Sequence, residues 1–301
     1  MYEQIAKNKR RSILLVLLVL VLAVGLGYLL GLLFRFGIVG ALIALGIVLV
    51  MTWSSYFRGD RIVLRVSGAR PAPREGYPQY HNIVEGLAIA AGIPKPDLYV
   101  IPEEAPNAFA TGRDPEHASV GVTEGLLETL NRVELEGVLA HELAHVRNRD
   151  ILFGTLVATL VGVVVLLAVF ARRSIFWGGM RGGRRSGRGG GGAAGILIIV
   201  GLVVAILAPI GAQLIRLAVS RRREYLADAD GALISRYPPG LASALRKISQ
   251  NTKPMRVANG ATAHLWLSEP SVTPGHGLTR WERAFATHPP IEDRIRILEE
   301  M

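Results

Sequence analysis

Four long apolar runs constrain this chain more than any other feature. Ile13 to Phe34 is 22 residues without a charge, and Ile38 to Trp53, Ile151 to Ala171 and Ala193 to Ile215 are equally free of charge. Each approaches the ~20 residues that a helix needs to cross a bilayer. Lys7, Lys9, Arg10 and Arg11 precede the first run, as in a signal peptide. That run is too long for the apolar part of a cleaved signal, and a second follows at once, so an uncleaved anchor hairpin is expected. The basic leader places the N-terminus in the cytoplasm, and Arg58, Arg61 and Arg65 after the second run agree with a return to that side.

The net charge of +10 raises the question of nucleic acid. Much of it flanks the apolar runs, where it serves topology and contact with anionic lipid. Residues 172–192 are Gly- and Arg-rich and carry six arginines. They read as a disordered loop, and no nucleic-acid partner is expected. There is no cysteine, which excludes a disulfide framework, a thiolate ligand and a cysteine nucleophile. A metal here must use His, Asp or Glu.

Four segments follow: an N-terminal transmembrane hairpin (1–57), a polar unit (58–150), a second membrane-associated pair around the Arg/Gly-rich loop (151–217) and a second polar unit (218–301). In the first polar unit, Arg61 to Val66 reads as a short strand. Tyr80 to Ala91 reads as a helix closed by Gly92 and Pro94. Asp97 to Ile101 is a strand, and Asn107–Gly112 and Ala118–Val122 form a strand pair around Asp114-Pro115. Glu124–Asn131 and Val133–Asn148 are helical. The second polar unit is mostly helical, apart from Pro270–Gly277, a candidate lid.

The last helix of the first unit carries His141-Glu142-Leu143-Ala144-His145. Histidines four apart on a helix stand one above the other and can grip one metal ion. The glutamate between them can act on a water there as general base. Glu142 falls inside the apolar stripe of Leu135, Val138, Leu139, Leu143 and Val146, where a carboxylate is costly unless it is paired or working. A third ligand is needed. His81, His117, His264, His276 and His288 qualify by type. Glu224 qualifies by context, with Asp228 on the same helical face. One of the two carboxylates could bind the metal while the other accepts the free N–H of a ligand histidine.

His141-Glu142-x-x-His145, an apolar pair, then Arg223-Glu224-Tyr225-Leu226-Ala227-Asp228 resembles the HtpX family of membrane zinc metalloproteases, related to the type I CAAX-prenyl endopeptidases. The likeness extends to Asn148-Arg149-Asp150, to Pro106 through Gly112, and to Thr287-His288-Pro289-Pro290 followed by Arg294. The resemblance implies one zinc ion held by His141, His145 and Glu224, with Glu142 as general base and later proton donor. It implies that Asp228 orients a ligand histidine, and that His288 steadies the oxyanion with Arg294 nearby. Asn107 and Phe109 would lie on an edge strand beside the cleft, where an extended substrate could add by main-chain hydrogen bonds.

The expected fold is α+β, mainly helical: a zincin-like metalloprotease domain with integral membrane helices. The expected protein is multi-pass in the cell membrane, with its protease domain facing the cytoplasm. It would cut protein or peptide substrates, chiefly misfolded or damaged membrane proteins. The ligands on either side of the third and fourth runs must meet at one ion, so the chain between them crosses the membrane an even number of times: either both runs cross, or both stay on the cytoplasmic side as re-entrant or interfacial segments. The alternatives are a dedicated processing protease, for instance of prenylated peptides, and a non-catalytic zinc-binding scaffold.

Overall fold

The first two apolar runs are helical. In the computed structural model, which describes residues 2–33, 37–160, 221–251, 253–257, 262–268 and 289–301, α1 (Tyr2–Leu33) and α2 (Ile38–Val66) lie side by side. Among the described residues, α2 is the helix long and apolar enough to cross a membrane. It exposes Ile38, Leu42, Ile43, Ile47, Val50 and Trp53, a surface that lipid can cover and water cannot favourably solvate.

Arg61–Val66 is not a strand. It forms the last turns of α2, where Val63 and Leu64 are buried. Extending a helix that has already nucleated adds a hydrogen bond per residue fixed, so four β-branched or branched side chains do not break it. The stop comes at Gly68, at φ 66°, whose N–H reaches Arg65 O while Ala69 N–H reaches Leu64 O. A glycine there takes the left-handed conformation without a Cβ clash. The boundary drawn at residue 57 therefore falls inside a continuous helix.

Next come β1 (Arg70–Pro71), α3 (Pro78–Ala91), β2 (Asp97–Ile101), β3 (Ala108–Gly112), β4 (Ala118–Thr123), α4 (Glu124–Thr129), α5 (Arg132–Arg147) and α6 (Asp150–Leu160). After the undescribed stretch come α7 (Arg221–Ser235), α8 (Pro238–Ser249) and α9 (Ile291–Glu299). The Arg/Gly-rich loop, the rest of the third run, the whole of the fourth, Pro270–Gly277, His276 and His288 lie outside the described residues.

The sheet has the order β1-β2-β4-β3; β2 and β4 are parallel and the other pairs antiparallel. Alternate residues serve two cores. Leu98, Val100, Ala108, Ala110, Val120 and Val122 face the helices α3 and α5 in the main core. Ile101 and Phe109 face the end of α2, Ala158 of α6 and Trp266. Gly121 makes this possible, since a Cβ there would stand 3.2 Å from the Phe109 ring.

The helix α5 runs through the centre of the molecule. Its start is fixed by a capping box: Glu134 N–H donates to Asn131 Oδ1 at 3.0 Å and Asn131 N–H to Glu134 Oε2 at 2.9 Å. Leu139 and Leu143 are fully buried, each contributing about 1.5–3 kcal/mol of hydrophobic stabilisation. The main core also takes in Ala227, Leu241, Leu245 and Leu298, so the two polar units share one interior. Two glycines let the backbones approach: a Cβ at Gly137 would lie 2.5 Å from Leu241 N, and one at Gly231 2.9 Å from His141 N.

Candidate metal centre

Because α7 packs on α5 at Gly231, the residues three and seven positions earlier are set against the histidines. Asp228 and Glu224 share a stripe with Gly231, and all three are buried or nearly so. The ligating atoms of His141, His145 and Glu224 lie within 4.8 Å of one another. The two Nε2 atoms are 3.2 Å apart. Glu224 Oε2 is 3.7 Å from His141 Nε2, and Oε1 is 3.7 Å from His145 Nε2. A tetrahedral ion with bonds near 2.0–2.1 Å would hold its ligands about 3.3 Å apart, so the set closes around one ion with small adjustments.

Each imidazole is turned by a carboxylate. His141 Nδ1 meets Asp228 Oδ1 at 2.9 Å, and His145 Nδ1 meets Asp150 Oδ2 at 3.1 Å. Donation from both Nδ1 atoms leaves both Nε2 atoms as acceptors facing each other. Two lone pairs at that distance repel unless a proton on one ring or a metal ion lies between them; with both Glu224 oxygens turned to the same space, the residues present fit a metal ion.

The surroundings set the charges. Burial lowers the His141 value against the pull of Asp228, and Arg294 and His145 lower it further, so its ring stays neutral. For His145 burial acts in the same sense, but the hydrogen bond it donates to Asp150 and the charges of Glu224, Asp150 and Glu142 overcome it and hold the ring at about 9 without a metal. Burial pushes Glu142 up to about 7, with His145 pulling down and Glu224 adding to the rise; Arg294 and the Ala110 N–H also pull down. Burial would raise Asp228 as well, but Arg294 and His141 hold it at about 2.

Arg294 reaches this site from α9. Its Nε and Nη2 donate to the two oxygens of Asp228 at 2.8 and 2.7 Å, and Nη1 donates to Leu267 O at 3.2 Å. It is 1% exposed. The planar fork satisfies a buried carboxylate that one imidazole could not neutralise alone.

The cleft is bordered by Ala110, Ile151, Gly154, His264, Leu265 and Trp266 besides the ligands. Its open volume is about 60 Å³, room for a few waters. The β3 strand lies beside it at the end of the sheet, but its outer edge is engaged by the chain itself. Leu267 N–H donates to Ala108 O at 2.9 Å. Thr155 Oγ1 meets both Gly112 N and Gly112 O, and Ala110 N–H serves Glu142. Asn107 fastens the segment 265–268, its amide donating to Ser268 O at 2.9 Å and accepting from Ser268 N–H at 3.2 Å. Phe109 stacks edge-on against Trp266, with ring centroids 4.8 Å apart. Ala110, the next residue along β3, borders the cleft.

Of the other histidines, His81 bonds to Ala72 O and His117 pairs with Asp114 on the surface. His264 borders the cleft, with Nε2 3.2 Å from Gly154 O, outside the ligand cluster. Sequence reasoning missed Asp150, the Ala110 N–H and the segment 264–267. Asp150 had a local signal, an acid just beyond α5. The others are joined to the site across the sheet or across more than 100 residues, and no spacing rule connects them.

The comparisons agree with this geometry. Residues 76–301 match the model of peptidase family M48. A relative described as "Protease HtpX homolog" from Thermoanaerobacter pseudethanolicus is 48% identical over 301 residues, covering all of this chain and 98% of that protein. One of the same description from Pyrococcus furiosus is 48% identical over 283 residues, 93% of this chain and 91% of that one. The crystal structure of S. mikatae Ste24p superposes with a TM-score of 0.50 at 18% identity, covering 99% of this chain and 67% of that one, a likeness of fold. A metal-ligating cluster on a mainly helical frame, matched along its whole length by such relatives, identifies the chain as a metalloprotease belonging to peptidase family M48.

Proposed function

We propose that the chain is a zinc endopeptidase embedded in the cell membrane. Its cleft would face the cytoplasm and hydrolyse misfolded or damaged membrane proteins. The observation that carries this reading is the convergence of His141, His145 and Glu224 within 4.8 Å, with Glu142 buried beside them. Two imidazoles and a carboxylate, with no cysteine, suit a catalytic zinc with an open position rather than a closed structural one. Bound there, zinc would supply Lewis acidity toward the peptide carbonyl and the attacking water.

The chain's own groups do the rest. Glu142 takes a proton from the water and returns it to the amine nitrogen as the C–N bond breaks; a carboxyl near neutrality suits both directions. Asp228 and Asp150 hold the ligand rings. Arg294 acts through Asp228 and not on substrate, since its fork is spent on that carboxylate. His288 is assigned to the oxyanion. The apolar outer surface of α2, with Arg58, Arg61 and Arg65 in its C-terminal part, supports the membrane and cytoplasmic assignments. An even number of crossings between His145 and Glu224 keeps the three ligands on one side of the membrane.

The closed outer edge of β3 favours a second reading, a processing protease with few substrates, because strand addition there is restricted. Casein cleavage by detergent-purified protein tests the first point. Cleavage abolished by chelator and by Glu142→Gln supports the zinc peptidase; cleavage unaffected by either rules it out. Profiling on a peptide library separates broad from narrow specificity.

A further inference from the structure

The N-terminal helix does more than lie in a membrane. Asn8, Ser12 and Leu15 of α1 are buried at spacings of four and three, one stripe of the helix. Leu15 packs on Phe153, Leu156, Val157 and Leu160 of α6. About two turns before it, Asn8 reaches the loop that follows the zinc helix. Its Nδ2 donates to Asn148 O at 3.0 Å and to Asp150 Oδ1 at 2.5 Å. Two acceptors at one amide end fix which end carries the nitrogen. The other oxygen of the same carboxylate, Asp150 Oδ2, receives His145 Nδ1 at 3.1 Å.

We infer that Asn8 is a positioning residue for the metal ligand His145, acting through Asp150. This rests on the metal-centre reading above. A carboxylate held at one oxygen only can swing about its Cβ–Cγ bond. With Oδ1 held by Asn8, Oδ2 is aimed at Nδ1, which fixes the His145 tautomer and turns Nε2 toward His141 and Glu224. The chain Asn8–Asp150–His145 is the counterpart of Arg294–Asp228–His141 on the other ligand, so each histidine is set by a carboxylate that is itself held. Arg223 Nη1, 3.9 Å from Asp150 Oδ1, is too far to replace the amide. The first helix is therefore a component of the metal site, and zinc affinity depends on its being docked.

The test is zinc affinity by competition with a chromophoric chelator, on the full chain in detergent carrying Glu142→Gln to prevent self-cleavage. Removing a partner of this kind weakens metal binding by roughly 10–100-fold, and that range is expected for Asp150→Asn. Asn8→Leu, similar in size without the donor, is expected to weaken zinc by about tenfold, and to add nothing when combined with Asp150→Asn. Asn8→Asp, which sets a second carboxylate against Asp150 in the same shape, supplies an independent arm with the same expectation. Ser12→Ala, on the same stripe, should leave the affinity unchanged. Affinity within twofold of the parent for both Asn8 variants overturns the inference. So does equal weakening in the Asp150→Asn background, or by Ser12→Ala, which would mark a packing effect. A parent chain that binds no zinc would overturn the metal-centre reading itself and this inference with it.

Discussion

A Cβ on residue 231 would stand 2.9 Å from the backbone nitrogen of His141, so Gly231 and His141 are in backbone contact. Gly231→Ala must push α7 away from α5, because the obstacle is main chain and cannot rotate aside. Overpacking of this kind destabilises by about 1–3 kcal/mol. Asp228 and Glu224 ride on the same helix, so zinc affinity is expected to fall as well. Thermal melts with and without added zinc read both effects, and the zinc-dependent rise in melting temperature should shrink.

Arg294→Met would leave Asp228 buried without its cation. Removing one partner of a buried pair costs about 3–5 kcal/mol, measurable by denaturant unfolding. Arg294→Lys should recover only part, since an ammonium cannot reproduce the fork. The pH dependence follows from Asp228, held at about 2 against an ordinary 3.8. Its contribution is full above the ordinary value and is lost as the pH falls toward about 2. In Arg294→Met burial is no longer opposed by the arginine, so the part of the acid-side loss that comes from Asp228 should shrink, although the variant is less stable at neutral pH.

Glu142 carries the opposite sign. In the metal-free fold it keeps its proton up to about pH 7, whereas unfolded it would release it near 4.5. The folded state therefore binds more protons between those values, and stability falls as the pH rises through that window. The displacement corresponds to about 3 kcal/mol. Glu142→Gln removes it, so the metal-free variant should melt higher than the parent at about pH 8 and respond less to pH across the window. Calorimetry in chelator measures the difference.

Arg149 sits at φ 57° in the turn that brings Asp150 back to His145. A side chain in this left-handed region costs about 1 kcal/mol relative to glycine. Arg149→Gly is expected to be neutral or stabilising by up to about that amount in thermal unfolding, with zinc affinity unchanged. A loss of zinc affinity would show that the arginine side chain, and not the turn, matters to the site.

The parts legible in the sequence were those written in local periodicity. His141 and His145, four apart, and Glu224 and Asp228, four apart, each declare a shared helical face, and the structure brings the two faces together. Gly92 ends α3 where a glycine should, and Asp114-Pro115 lies between β3 and β4 as read. Arg61–Val66 misled because its β-branched residues favour a strand in isolation, while the long apolar helix α2 carries them along until Gly68. The partnership of Arg294 with Asp228 spans 66 residues, and that of Asn8 with Asp150 spans 142. Such pairs are decided by helix docking, which no window of sequence contains.

The engagement of β3 by Leu267 and Thr155 has a further consequence, for solubility. The last strand of a sheet offers a row of unpaired amides and carbonyls, a template on which a second copy can stack. Here Leu267, Thr155 and Glu142 take up much of that row, and Trp266 fills the face behind it. A neighbouring molecule meets little unpaired main chain at this edge, so the sheet is shielded from edge-to-edge aggregation.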